Sequence, residues 1–343
     1  MAIELPVLRL GVAGFSAQQR AQLDAMLDRS APGRHIWQIG AFNDADAWWL
    51  NGSRTQVVGD RMIRITPAIP SERSLQLNVQ DVDRPIAFSL PLASANFQSG
   101  YTFDPASLPS ITEVLDKFEA WLQPVAAQFS LAARIVEQES VLGIAVYHVM
   151  QEGRLLAVVN MQGEIGVLPG AGPADFDEAM WVRQTGRTPI PESFVRTDLS
   201  QLMWQYAVRT GRDVLPKRYR TGLLYFRRPP RLPQRMLSDS HLLLIRELAS
   251  GPGSFADLQQ RTGLAEAPLA RVLGALYLVG TITSNPKRAT VTKPRELRGE
   301  AEASQGLQHS IGSSGLGADS GHGSNASRPP AADFTVQMPL GPR

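Results

Sequence analysis

Residues 7–15 read VLRLGVAGF. A short apolar run rich in β-branched and branched residues is the pattern of a buried strand. Ser16 follows where a helix N-cap belongs, and Ala21, Leu23, Met26 and Leu27 keep helical spacing to about Arg29, where Ala31-Pro32-Gly33 ends it. Outward from this strand–helix pair, His35 to Ile39 reads as a second strand and Asp44 to Leu50 (DADAWWL) as a short helix stopped by Asn51-Gly52. Thr55 to Ile65 reads as one long strand or as a hairpin turning at Gly59-Asp60, and Leu75 to Val79 and Ile86 to Leu90 as further strands. Ser110 to Gln138 has helical periodicity, split or kinked at Pro124. Strands separated by helices predict an α/β layer with parallel pairing.

The next segment changes character. Leu142 to Val149 and Leu155 to Asn160 flank the turn sequence Gln151-Glu152-Gly153-Arg154, and Ile165 to Leu168 adds a third short strand. Pro173 to Gln184 reads as a helix opened by proline and acids, and Thr197 or Asp198 as the cap of a helix with Leu199, Leu202, Met203, Tyr206 and Ala207 on its buried stripe.

From Ser238 to Ser284 the signals are denser. Ser238 or Asp239 caps a helix, Gly251-Pro252-Gly253 turns, and Ser254 to Asp257 (S-x-x-D) opens a short helix ending at Thr262-Gly263. A third helix runs from Leu264 to Val279, then Thr281-Ile282-Thr283 forms a strand and Lys287 to Lys293 turns back as a wing. This order is the layout of a winged helix-turn-helix. The expected architecture is α/β plus α+β: an α/β domain over 1–138, a small mixed domain with a basic linker over 139–235, a winged-helix domain over 236–298, and a disordered Ser/Gly/Pro-rich tail over 299–343.

Composition removes several chemistries. The chain has 343 residues, 43% of them apolar, and no cysteine. That excludes disulfides, a thiol nucleophile and Cys-ligated metal centres. The five histidines, His35, His148, His241, His309 and His322, show no metal spacing. No G-x-S-x-G, P-loop or G-x-G-x-x-G signature occurs, and Asp81 and Asp83 read as solvated turn acids. Gly170-Ala171-Gly172 before a helix is a weak candidate anion cradle. No catalytic residue, cofactor or metal is expected. The acidic, Pro-containing start and the short apolar runs predict no signal peptide and no membrane span, hence a cytoplasmic protein.

Charge is unevenly distributed. The chain carries 34 Lys+Arg and 32 Asp+Glu, a net +2. Residues 209–298 hold 17 basic and 6 acidic residues, which leaves 17 basic and 26 acidic elsewhere. Lys217, Arg218, Arg220, Arg227, Arg228 and Arg231 lie among Tyr219, Tyr225 and Phe226, with Arg271, Lys287, Arg288 and Lys293 further on. Such a block suits phosphate contacts and base or partner stacking, or it is a solvated loop that packs on the acidic parts of its own chain. In the third helix the positions off the buried stripe are Glu266, Ala267, Ala270, Arg271, Gly274, Ala275 and Leu278, where Arg271 alone suits base reading. A face this apolar packs on protein more readily than it reads DNA.

Residues 7–125 resemble the response-regulator receiver fold in element order. The family's acidic pair after the first strand is replaced by Gly11-Val12-Ala13-Gly14, no Lys follows the last strand in Phe88-Ser89-Leu90-Pro91, and only Asp60 fits the phosphoacceptor position. The resemblance therefore implies a pseudo-receiver, a protein-binding platform without phosphotransfer. Val272 to Ile282 (VLGALYLVGTI) resembles the closing helix of winged-helix modules attached to bacterial PATAN-type signalling domains, which implies partner binding. Arg227 and Arg231 share the R-x-x-x-R spacing of PilZ-type cyclic-dinucleotide binders, but the companion D/N-x-S-x-x-G motif does not follow. The expected function is a non-enzymatic bacterial signalling adaptor that docks protein partners. The alternative is a DNA-binding regulator in which Arg271 reads a base while Arg227, Arg228, Arg231, Lys287, Arg288 and Lys293 hold phosphates.

Overall fold

A computed structural model of the chain describes residues 4–30, 35–59, 61–92, 100–186 and 189–290. The opening run forms strand β1 (Val7–Ala13), and Ser16 caps α1 (Ala17–Arg29) in a reciprocal capping box with Gln19. β2 (Ile36–Gly40) and β3 (Ala47–Leu50) lie parallel to β1 on opposite sides. The chain then makes an antiparallel sheet, β4 (Thr55–Val57), β5 (Met62–Ile65) and β6 (Leu75–Asn78). It returns through β7 (Ile86–Phe88) and β8 (Tyr101–Thr102) to the first sheet, whose order is β2-β1-β3-β7-β8 with every pairing parallel.

Alternation along these strands sorts side chains between two cores. Leu10, Val12, Ala47, Trp49 and Ala87 face α1 and α2 (Leu108–Trp121), meeting Leu23, Leu27, Ile111 and Phe118. Ala13, Trp48, Leu50 and Phe88 face the antiparallel sheet, meeting Ile63 and Ile65. The parallel sheet is thus covered on both faces, as its apolar strands require. The expected helix over Asp44–Leu50 is instead β3, the central strand. All four of its residues are buried, and a run buried on both faces has no periodicity to separate helix from strand. Asn51-Gly52 ends that strand rather than a helix.

α2 runs into α3 (Gln123–Glu137) with Pro124 in the first turn of the second helix. Next come β9 (Val146–Gln151), β10 (Arg154–Asn160), β11 (Glu164–Val167), α4 (Pro173–Asp177), β12 (Met180–Gln184) and β13 (Val195–Asp198). They form a five-stranded antiparallel sheet in the order β12-β9-β10-β11-β13. The expected helix over Pro173–Gln184 is confined to its first turn and a half; Met180–Gln184 pairs with β9 instead. Asp198 caps α5 (Leu199–Ala207), its Oδ1 accepting from Gln201 N at 2.8 Å.

The last described part holds α6 (Arg218–Thr221), β14 (Leu223–Phe226), α7 (Asp239–Ser250), β15 (Gly253–Ser254), α8 (Phe255–Thr262), α9 (Glu266–Leu278) and β16 (Ile282–Thr283). The Ser254/Asp257 capping box opens α8, and Gly263, with φ +68°, closes it in the left-handed conformation. β14 pairs with β15 and β16 in one small antiparallel sheet. A single hydrophobic core runs from Ala127 and Phe129 of α3 through β10, β11 and α5 to Leu269, Leu273 and Ile282, crossing positions 138 and 235. Met1–Lys293 is one compact unit. Asp60, Lys293 and the expected disordered tail lie outside the described residues. No helix among the described residues is long and apolar enough to cross a membrane.

Candidate functional site

The third helix of the C-terminal layout, α9, decides what the basic region offers. Ala270 and Ala275 are 6% and 1% exposed, and Gly274 is buried with them. α5 packs on α9, and a Cβ at Gly274 would stand 2.8 Å from Val214 Cγ2. Positions that helical spacing leaves off the first buried stripe thus form a second one, against the chain's own middle segment. Glu266, Ala267 and Arg271 stay exposed. Arg271 lies within electrostatic reach of Arg9 of β1, and Glu266 pairs with Arg220 at 3.4 Å.

The basic block divides into committed and uncommitted members. Arg209 pairs with Asp46, and Arg212 bridges Glu4 at 3.0 Å and Glu137 at 3.1 Å. Arg220 pairs with Asp213 at 2.6 Å and stacks 5.4 Å over the Phe255 ring. Arg218 stacks 5.3 Å over Tyr219, and Lys217 is exposed at the start of α6. Arg209 and Arg212 do what an internal docking seam requires, meeting Asp46 and Glu4 of the N-terminal segment, whereas Lys217 and Arg218 are exposed and have no ion pair among the described residues.

Arg227, Arg228, Arg231, Lys287 and Arg288 differ from Arg209, Arg212 and Arg220. All are exposed, and among the described residues none has an ion pair. β14 ends at Phe226 opposite Ile282 of β16. The chain then turns through Pro286–Arg288, with Asn285 capping Lys287 N at 3.0 Å, and returns so that Thr290 N donates to Phe226 O at 2.9 Å. Arg227 Nη1 and Arg228 Nη2 approach the point a Cβ would occupy at Gly280 to 3.6 and 3.3 Å. This brings two cations beside the carboxyl terminus of α9, where its dipole favours positive charge. Four of the predicted residues, Arg227, Arg228, Lys287 and Arg288, thus cluster at one end of a small sheet.

At the carboxyl ends of the parallel strands the structure places a residue that sequence reading passed over. Asn51, directly after β3, is 6% exposed. Its Nδ2 donates to Gly14 O at 2.9 Å, and its Oδ1 accepts from Ser53 N at 3.1 Å and Ser89 Oγ at 3.3 Å. Ser89 follows β7 and accepts from Gly52 N at 3.0 Å. The network consists of neutral groups, each satisfying another. Its signal was hidden because the segment before Asn51 has the composition of a short helix.

On the opposite side, at the amino ends of β1, β3 and β7, a cleft of about 540 Å³ is lined by Arg9, Asp46, Arg209, Trp204 and His241. His241 Nδ1 accepts from Ser238 N at 3.2 Å, and its ring lies 4.5 Å from that of Trp204. Burial, reinforced by Arg9, lowers its pKa to about 4, so the ring is neutral at pH 7. Burial is also the main cause that lowers the Arg9 pKa, against the opposing attraction of Asp46. Among the described residues no His, Asp and Glu cluster has the makings of a metal site. The weak anion cradle at Gly172 is closed by its own helix, since Asp175 accepts from Gly172 N at 2.7 Å.

No family model, curated protein or solved structure matches this chain. The functional reading therefore stands on the geometry alone.

Proposed function

We propose that the chain is a non-enzymatic regulatory adaptor of the bacterial signalling type, which docks an acidic protein partner on the edge formed by Arg227, Arg228, Lys287 and Arg288, with the exposed Arg231 three residues beyond Arg228 along the chain. The observation that carries this reading is the division of the basic block. Arg209, Arg212 and Arg220 are neutralised inside the chain, while these five cations are exposed and unpaired among the described residues. Exposed cations without local acids raise encounter rates with an oppositely charged surface and fix its register.

A receiver-like N-terminal platform is supported by the all-parallel order β2-β1-β3-β7-β8, the flavodoxin-like order. Asn51, and not the Asp60 expected from the sequence, directly follows the third strand of the parallel sheet, which supports a platform without phosphotransfer, since a carboxamide is a poor phosphoryl acceptor. The covering of one face by β4–β6 rather than by helices departs from the receiver pattern. A winged-helix reading of 236–298 is supported by the run α7, α8, α9, β16. The alternative, DNA binding through that module, draws on the same free cations, but α9 is packed against α5 and its exposed positions, Glu266, Ala267, Pro268 and Arg271, offer a groove one cation beside one acid.

The test is in-cell cross-linking of the full chain against a charge-reversed form, Arg227→Glu/Arg228→Glu/Lys287→Glu/Arg288→Glu. A protein cross-linked to the β14–β16 edge and lost on reversal supports the adaptor. Cross-links to nucleic acid at that edge, or an unchanged set of protein cross-links, contradict it.

A further inference from the structure

A second cleft, sharing no residue with the basic edge, opens at the carboxyl ends of β1 and β2. It measures about 340 Å³, within the range of small-molecule sites. Phe42, Ile39, Ile65, Leu75 and Pro67 give it apolar walls, and Arg20, Glu72 and Arg73 a polar rim. It lies between the ends of β1 and β2 and the β5–β6 side of the antiparallel sheet, next to the point where the strand order reverses. The chain leaves β1 for β2 on one side and returns to β3 on the other, and in open α/β sheets such a reversal leaves a crevice outside the carboxyl ends of the strands. Gly14, with φ +78°, turns the chain away from β1 at that point.

The rim has charge left over. Arg20 Nη2 holds both oxygens of Glu72, at 2.8 and 2.9 Å, which ties the loop before β6 to the first turn of α1. The Nε of Arg20 is buried without an acceptor. Arg73 is exposed and has no ion pair among the described residues. One acid against two guanidinium groups leaves a net single positive charge beside an apolar cavity, with one buried N–H donor unused. We infer that this cleft binds a small aromatic monoanion, its ring between Phe42 and the Ile65/Leu75 wall and its anionic group at Arg73 and Arg20.

The probe is 8-anilinonaphthalene-1-sulfonate, titrated into the full folded chain by fluorescence, with 2-naphthoate and the neutral 2-naphthamide as competitors. One saturable site is expected, displaced by 2-naphthoate about tenfold more effectively than by the amide, the worth of one charge-assisted hydrogen bond. Arg73→Ala, an exposed change, is expected to weaken 2-naphthoate about tenfold while leaving the thermal midpoint in place. Ala41→Trp, which adds an indole to the lining, is expected to abolish the site. Equal displacement by acid and amide, non-saturable fluorescence, or unchanged affinity in Arg73→Ala overturns the assignment.

Discussion

Arg209 Nη2 donates to Asp46 Oδ1 although 163 residues separate the two. Asp46 precedes β3 and Arg209 follows α5, so this pair joins the parallel-sheet layer to the middle segment. Backbone bonds repeat the link: Val7 N donates to Arg209 O at 2.8 Å and Arg9 Nη2 to Val208 O at 3.0 Å. With side chains only 13% and 9% exposed, neither ion is readily rescued by water. Asp46→Ala is expected to cost about 3 kcal/mol, because removing one member leaves a buried uncompensated charge. Urea unfolding measures it, and the double variant with Arg209→Ala should lose less than the two single losses together.

His241 makes stability depend on acidity. Its folded pKa of about 4 lies below the ordinary 6.5, so the unfolded chain binds the proton more readily. Its contribution is complete above about pH 6.5 and is lost as pH falls from there toward 4. The expected loss between pH 7 and pH 4.5 is about 2 kcal/mol. His241→Gln, which cannot take up the proton, should flatten that part of the pH–stability curve even where it lowers the plateau.

Gly274 reports the packing of α9 through the sign of a substitution. In an exposed helix, Gly274→Leu would stabilise by about 1 kcal/mol through helix propensity. Against Val214, 2.8 Å from the new Cβ, it is expected to destabilise by about 2 kcal/mol through overpacking. Thermal unfolding of the two proteins separates the cases.

The free cations should be nearly silent in folding. Each single charge reversal at Arg227, Arg228, Lys287 or Arg288 is expected to move the unfolding free energy by less than about 1 kcal/mol, since the residues are exposed. In contrast, Arg212→Glu sets like charges against Glu4 and Glu137 and should lower stability more than any one of the four. A denaturation series across salt concentrations tests both statements.

Local signals in the sequence were legible where a cap or turn residue forces the backbone. Ser16, Asp198 and Ser254 each stand at the expected N-cap, and Gly263 ends α8. The hairpin at Gly153 is likewise present, that glycine having φ +80°. The short apolar run ahead of Asn51 was not legible, because Trp48 and Trp49 at the centre of a sheet carry no period. Met180–Gln184 followed acids that favour a helix start, and only its pairing with β9 makes it a strand. The candidate surface was legible as composition alone. Which arginines pair inside the chain depends on acids such as Glu4 and Asp46, far away in sequence, and no spacing rule reaches them.

The absence of cysteine allows a single thiol to probe α9 directly. In the full chain, Ala275→Cys and Arg271→Cys are compared by the rate of native-state reaction with a small disulfide reagent. Position 275 is 1% exposed while Arg271 is exposed. The thiol at 275 is expected to react many-fold more slowly, at a rate that rises with denaturant as unfolding exposes it. Equal fast labelling at both positions in native buffer would mean that the Ala275 face of α9 is also free to enter a groove, and would contradict the packing of α9 on α5 by which protein docking is preferred to DNA reading.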